Sequence, residues 1–427
     1  MEFGNDIEFA RQLDDADPLK RFRKCFHIPR GEGKEQIYFL GNSLGLQPVN
    51  TREEINRVLQ QWANYGVEAF FQGEEPWLEM HERLVEPLSW IIGARPAELV
   101  VMNQLTINLH LMMVSFYRPQ GKRNKIICEA RAFPSDQYML ETHLKHLGLD
   151  PKDVIIEITP RTGEYHIRTE DILASVTQHR DELALIFWGG VNYYTGQVFD
   201  MELITRAGHE AGAKVGFDLA HAAGNIKLRL HEWNVDFACW CSYKYLNSGP
   251  GAIGGAFIHS RYHHLADMNR FAGWWGYDKT SRFRMEPGFV PIQTAEGWQQ
   301  STPSILLYAS HFAALKIFSD AGFENLLIKA EAMSRYLYYL LQPVVDFHGS
   351  SKINIITPVD NNAHGCQLSL FFPKHGQEVF KKLTAAGIFA DWREPGVIRI
   401  APVPLYNTFT EIFDFVGALG NAIADCK

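Results

Sequence analysis

Seven short runs, apolar almost throughout and spaced between residues 98 and 260, constrain the fold of this chain more than any other feature. They read ELVVMN, KIICEA, DVIIEI, LALIFWGG, KVGFDLAH, FACWCSY and GGAFIH. A strand with one wet face alternates apolar and polar residues; a run that does not alternate is buried on both faces, as in a parallel sheet covered by helices. The segments between the runs have helical periodicity. Leu109, Met112, Met113 and Phe116 share one face, and Leu203, Ile204, Ala207 and Ala211 share another. This alternation predicts an α/β fold: a mostly parallel central sheet with helices on both faces.

Past residue 310 the pattern changes. FENLLIKAEAMSRYLYYLLQ reads as a long helix, CQLSLFF and VIRIAP as strands, and QEVFKKLTAAG as a helix stopped by Gly387. Thr408 and Glu411 have the spacing of a capping box that opens a last helix. The expected organisation is an N-terminal segment (1–60) packing with the small domain, a large domain (61–310), and a smaller α+β C-terminal domain (311–427). A chain of 427 residues is long enough for more than one core.

The formal net charge of −8 argues against nucleic acid as a partner, because a phosphate backbone demands a basic surface. No run is apolar and long enough to span a bilayer, and the N-terminus (MEFGNDIEFARQLDDAD) is acidic where a signal peptide is basic. A soluble, cytoplasmic protein without membrane contact is expected. The six cysteines are scattered, as free thiols in a reducing compartment are. Cys239 and Cys241 lie one residue apart in an apolar strand, poor geometry for half a zinc site, and no metal is expected.

The stretch ACWCSYKYLNSGPGAIGGAFIH, residues 238–259, sets Lys244 before a glycine-rich loop. Gly249, Gly251 and Gly254 satisfy G-x-G-x-x-G literally. A dinucleotide fingerprint opens a helix, however, and here a strand pattern follows. A Walker loop is also excluded, because its lysine follows the glycines. The glycines are therefore read as the reversal of the chain after the strand that carries Lys244.

Asp218, His221, Tyr243 and Lys244 follow two neighbouring apolar runs, and α/β sheets bind ligands beyond the carboxyl ends of their strands. Pyridoxal phosphate needs this set. An amine in an apolar setting forms a Schiff base, and a carboxylate pairs with the pyridine nitrogen. The phosphate wants a helix N-terminus, and Thr106 stands where one is predicted. Phe133, at another strand end, offers a ring to stack on.

GNSLG (41–45), NQLTINLHLMM, FPSD, YYTGQ, GFDLAHAAGN, ACWCSYKYLN, GWWG and IRIAPVPLYN, in this order between residues 41 and 407, resemble the kynureninase family. The resemblance implies a pyridoxal 5'-phosphate enzyme of fold type I that hydrolyses kynurenine, or its 3-hydroxy form, to the anthranilate and L-alanine in tryptophan catabolism. It implies that Lys244 holds the cofactor and moves the α-proton, and that Tyr243 bonds the phosphate and relays a proton. Asp218 would pair with the ring nitrogen and His221 would lie beside the ring. Leu105 and Thr106 would bind the phosphate, and Phe133, Pro134, Ser135 and Asp136 would contact the cofactor. Ser43 would line the substrate site, and Arg399 would grip the substrate α-carboxylate with its two-pronged guanidinium. Trp274 and Thr302 would reach the cofactor of a partner subunit, which makes a homodimer the expected state.

Two departures from the family stand out. Gly189 occupies a position where relatives can carry a hydroxyl residue near the phosphate. Val67 and Thr302 replace a histidine and an asparagine of the animal enzymes, which removes two polar groups suited to a ring hydroxyl. A preference for kynurenine over 3-hydroxykynurenine is the expectation. The competing readings are a cysteine desulfurase of the same fold, which needs a cysteine nucleophile on an exposed loop, and a binding protein that has lost catalysis. Cys366 lies in an apolar strand pattern and Cys426 next to the C-terminus, and a degenerate site has no reason to keep Lys244, Asp218, Tyr243 and Arg399 together.

Overall fold

All seven apolar runs form strands of one sheet in the computed structural model, which describes residues 3–265 and 267–426. They are β1 (Leu99–Val101), β2 (Lys125–Glu129), β3 (Ile155–Ile158), β4 (Leu183–Gly189), β5 (Lys214–Asp218), β6 (Phe237–Trp240) and β7 (Gly255–Ile258), in the order β1-β7-β6-β5-β4-β2-β3. β2 to β6 run parallel to one another, and only β7 is antiparallel to its neighbours, β6 and β1. The reversal into β7 uses Gly249 and Gly251, whose φ angles of +92° and +67° are costly for any side chain with a Cβ. The literal dinucleotide motif is thus a turn.

The absence of alternation in the runs has a direct cause. In β4, Leu185 and Phe187 enter one hydrophobic core while Ile186 and Trp188 enter the core on the opposite face. Both faces are covered by helices, as expected. Leu109, Met112, Met113 and Phe116 of the Leu105–Phe116 helix fill one core, and Met201 and Ile204 of the Met201–Glu210 helix fill the other.

A second sheet contains β8 (Asn354–Ile355), β9 (Leu368–Phe371), β10 (Asp391–Arg393) and β11 (Val397–Ile400), all antiparallel, in the order β8-β9-β11-β10. Leu368, Leu370, Ile398 and Ile400 point into a separate core with Leu337, Leu341, Phe415 and Leu419 of the flanking helices. The intervening residues Ser369 and Arg399 therefore face the other way, toward the large sheet. There Ser369 Oγ donates to Tyr194 O (2.7 Å) and Arg399 Nη1 to Tyr193 O (2.6 Å). The Thr408–Glu411 capping box forms as expected at the head of the Phe409–Ala424 helix.

The division between the two cores does not fall at residue 310, and the N-terminal segment contributes to both. Residue 310 lies inside the Ile305–Ala321 helix, whose apolar residues stay with the core of the large sheet. The change of core comes along the next helix, Phe323–His348: Leu326 and Ala330 belong to the first core, Met333 and Leu337 to the second. A helix with one continuous apolar face carries no compositional mark of such a hand-over. The N-terminal segment does not pack with the small unit alone. Ala10 and Phe39 join the second core, while Leu19, Phe22, Leu46 and Val58 join the first. Among the described residues, no helix is long and apolar enough to cross a membrane.

Candidate active site

Because β1, β2, β4, β5 and β6 share one sense, their carboxyl ends lie along one edge of the sheet, and the polar residues that end the apolar runs meet there. They surround a cavity of about 130 Å³ walled by Leu105, Thr106, Phe133, Ser135, Asp218, His221, Tyr243 and Lys244, together with Gln104 and Ala220. Eight of the predicted site residues thus share one small space.

Lys244 follows β6 on a tight loop. Ser248 N donates to Ser242 O (3.0 Å) and Asn247 N to Lys244 O (3.0 Å). From the N-terminal GNSLG turn, Gly45 N donates to Tyr243 O (2.8 Å), which pins the loop from outside. The lysine is buried, and its Nζ lies 2.9 Å from His221 Nε2 and 5.8 Å from the centre of the Phe133 ring. Burial, followed by the cations Lys244, Arg399 and Arg393, holds His221 well below the ordinary imidazole pKa. The neutral ring shares a hydrogen bond with Lys244 at Nε2, and its Nδ1 is buried without a partner.

Three carboxyl groups gather behind the lysine. Asp218 ends β5, and its Oδ1 accepts from Ala220 N (2.7 Å). Asp136 stands in the first turn of the Pro134–His146 helix, and one of its oxygens is buried and unpartnered. Glu129 ends β2 and accepts from Asn192 Nδ2. Burial pushes the pKa of all three upward. The negative charge of Asp218 raises Asp136 further, which favours a proton on the Asp136 carboxyl. Burial also raises the Tyr243 phenol, with the Cys241 thiol beside it as a lesser cause, so Tyr243 stays a donor at neutral pH.

At the opposite end of the cavity the Leu105–Phe116 helix begins without a side-chain cap at Gln104. Its first N–H groups and the Thr106 hydroxyl present an anion site. A planar, anionic aromatic aldehyde fits this donor set: an amine to bind it, a carboxylate for a ring nitrogen, and donors for a phosphate.

Other predicted residues stand elsewhere. Pro134 opens its helix, exposed and off the cavity wall. Ser43 lies on the turn that pins the lysine loop, outside the cavity wall. Trp274 is exposed and donates weakly to Arg282 O (3.4 Å), and Thr302 is exposed; neither touches the cavity of its own chain. Arg399 is buried near His221 but already engaged: Nη2 pairs with Asp391 Oδ2 (2.6 Å) while Nη1 donates to Tyr193 O. Gly189 does not stand at the phosphate end. It pairs in register with Asp218, and a Cβ there would lie 3.4 Å from Glu129 Oε2.

Sequence reasoning missed Glu129, Asn192 and Asp391. Glu129 carried the signal that marked Asp218, a carboxylate closing an apolar run; the other two depend on a loop and a cross-strand register that no periodicity reports. Spacing also gave no hint that Glu98, His231 and His259 meet, with His231 Nδ1 2.9 Å from Glu98 Oε1. The Glu98 carboxylate there also accepts from Arg95 N and Ser260 N. Cys239 and Cys241 are buried core residues.

Solved structures share this fold. The apo cysteine desulfurase from Thermococcus onnurineus NA1 superposes with a TM-score of 0.75 at 16% identity, covering 97% of this chain and 98% of that one. A variant of C-DES with glycine covalently linked to its PLP cofactor also gives 0.75 at 16% identity, over 90% of this chain and 96% of its own. The class is thus the doubly wound α/β fold of these enzymes, with a lysine at the carboxyl edge of the sheet.

The family is set by sequence. The kynureninase from Flavobacterium psychrophilum is 52% identical over 100% of both chains. The kynureninase from Myxococcus xanthus is 49% identical over 98% of this chain and 97% of its own. A model of the kynureninase C-terminal domain matches residues 328–419. This chain belongs to the kynureninase family.

Proposed function

We infer that the protein is a pyridoxal 5'-phosphate-dependent hydrolase that cleaves the Cβ–Cγ bond of L-kynurenine to give anthranilate and L-alanine. The observation that carries this reading is the meeting of Lys244, Asp218 and Thr106 in one small cavity of a kynureninase-family chain. Bound pyridoxal phosphate supplies an aldehyde that condenses with amines and a ring that accepts electron density from the carbon next to the amine.

The residues divide the remaining work. Lys244 Nζ would hold the cofactor's aldehyde carbon and, when free, would move the α-proton; His221 Nε2, 2.9 Å away, is placed to share that proton. Asp218, whose upward shift from burial is opposed by Ala220 N–H, by Lys244 and by Asp136, would pair with the ring nitrogen. Tyr243, whose phenol stays protonated, would donate to the phosphate and could supply a proton near the γ-carbon. The Leu105 turn and Thr106 hold the phosphate, and Phe133 and Ser135 close the wall. Pro134 starts the helix that carries Asp136. Arg399 would bind the substrate carboxylate, and Ser43 would approach the substrate from the N-terminal turn beyond the cavity wall. The substrate aryl ketone takes up water, so an amino acid without that carbonyl is not cleaved.

A desulfurase is disfavoured by the thiols. Cys366 is buried, with its pKa pushed up to about 12, and an inert thiol of this kind is no nucleophile. Cys426 is buried as well.

The same reading extends to the assembly: a cytoplasmic homodimer in which Trp274 and Thr302 complete the partner's site. An exposed apolar patch supports it, with Phe283 in edge contact with Trp274 (5.6 Å between ring centres) and beside Phe71 (5.7 Å). Val67, 71% exposed, stands four residues before Phe71 and has no polar group for a ring hydroxyl. Kynurenine is therefore preferred over 3-hydroxykynurenine, and equal kcat/KM values for the two would refute this.

The decisive experiment adds kynurenine to the purified, cofactor-loaded protein and follows anthranilate fluorescence. The native chain releases anthranilate and Lys244→Ala does not. Sulfide from cysteine with no anthranilate would establish the desulfurase instead.

A further inference from the structure

Glu129 is a buried carboxyl that the proposed chemistry does not use. Its placement is specific. It ends β2, and its side chain lies over Gly189, the one position in β4 that is in register with Asp218 and has no side chain to block it. Asn192 Nδ2 donates to it. That amide is itself fixed, because Asn192 Oδ1 accepts from Tyr194 N (2.9 Å), Thr195 N (2.7 Å) and Thr195 Oγ1 (2.9 Å). Glu129 is therefore held beside the register position of Asp218 by a hydrogen-bonded turn.

We propose that Glu129 is a positioning residue that gains and loses a proton behind Asp136 and Asp218, so that the charge facing the cofactor's ring nitrogen is set by three carboxyls and not by Asp218 alone. The proposal rests on the pyridoxal phosphate reading given above.

The surroundings fit this role. On its own strand stands the Cys128 thiol, itself pushed upward by burial. Glu157 pairs with Cys128 from β3, Asp218 faces Glu129 from β5, and Asp136 faces it from the Pro134–His146 helix. Lys244 lowers Asp136 and Asp218, while Arg131, two residues on, is exposed and bears on Tyr194. Burial, with Asp218 as a lesser contributor and Asn192 opposing, pushes Glu129 up to about 7. As pH rises through that value, Glu129 gives its proton to solvent and becomes anionic. The new charge raises the proton affinity of Asp136 and strengthens the hold of Asp218 on a protonated ring nitrogen.

The test is a pH titration of the visible absorption band of the loaded enzyme, whose chromophore responds to charge at the ring nitrogen. Native enzyme is expected to show an inflection near pH 7, and Glu129→Gln to keep its cofactor and lose the inflection. Gly189→Ser adds a hydroxyl beside Glu129 Oε2 that donates to the carboxylate, and should move the inflection down by about one pH unit. A merely structural Glu129 would weaken cofactor retention and leave the inflection in place. An unchanged inflection in Glu129→Gln overturns the proposal; should that variant not fold, an unmoved inflection in Gly189→Ser overturns it equally. Protein that stays colourless with pyridoxal phosphate overturns the functional reading and this proposal together, whereas coloured protein with an unmoved inflection overturns this proposal alone.

Discussion

Arg399 meets its substrate, on our reading, with a carboxylate already in place. Asp391 is its cross-strand neighbour on β10 and holds Nη2 at 2.6 Å, while Arg393 bonds the same carboxylate at 3.1 Å. A buried guanidinium needs such a partner, because an unpaired buried charge costs several kcal/mol. The same contact competes with the substrate carboxylate. Asp391→Asn keeps an acceptor oxygen but removes the competing charge, so KM for kynurenine should fall by on the order of tenfold with kcat little changed. Thermal stability without substrate should fall by about 1–3 kcal/mol and recover on adding a carboxylate-bearing analogue. A higher KM would mean that Asp391 aims Arg399 and does not compete. The gathering of Asp218, His221, Tyr243 and Lys244 around one cavity was legible in the sequence because they are polar groups ending apolar runs. The occupied state of Arg399 was not, since it follows from the register of two strands that belong to the second core.

Elements explain why the GNSLG turn matters despite standing outside the cavity. Gly45 N bonds Tyr243 O, and a Cβ on Gly45 would collide with Lys244 O and the Asn247 side chain. Gly45→Ala should therefore push the lysine loop off its position and cut kcat by about a hundredfold, the scale expected for misplacing a catalytic group by an ångström, with the cofactor still bound. Near-native kcat would show the loop to be more tolerant than this packing implies. The N-terminal helix acts at a distance in the same way. Asp14 accepts from Phe409 N (2.7 Å), Thr410 N (3.0 Å) and Thr410 Oγ1 (2.6 Å), and so adds a second cap to the last helix. Asp14→Ala should lower stability by about 0.5–2 kcal/mol in urea titration and leave kcat unchanged. The strands and the Thr408 capping box were readable because their signals are local. The Gly45 and Asp14 contacts join segments hundreds of residues apart, so pattern along the chain carries no trace of them.

The whole molecule raises the question of why Trp274 and Thr302, matched by the family's motifs, stand away from the cavity of their own chain. Trp274 lies in an apolar patch with Phe71 and Phe283, while Lys244 is buried at the sheet edge. If two protomers join so that each lends Trp274 to the other, loss of Lys244 and loss of Trp274 become complementary defects. Lys244→Ala homodimers are dead, and Trp274→Ala homodimers should lose cofactor affinity and most activity. In a hybrid of the two, one site combines the native Lys244 of one protomer with the native Trp274 of the other, and the second site carries both substitutions. Random reassortment makes about half of the dimers hybrids with one good site in two, which restores about a quarter of the native activity from two inactive parents. The activity should appear only after subunit exchange and should track the hybrid fraction separated by differently tagged chains. A mixture that exchanges subunits and stays inactive would place Trp274 in its own protomer's site and remove the reason for shared sites, because defects on one chain's site cannot be repaired by its neighbour.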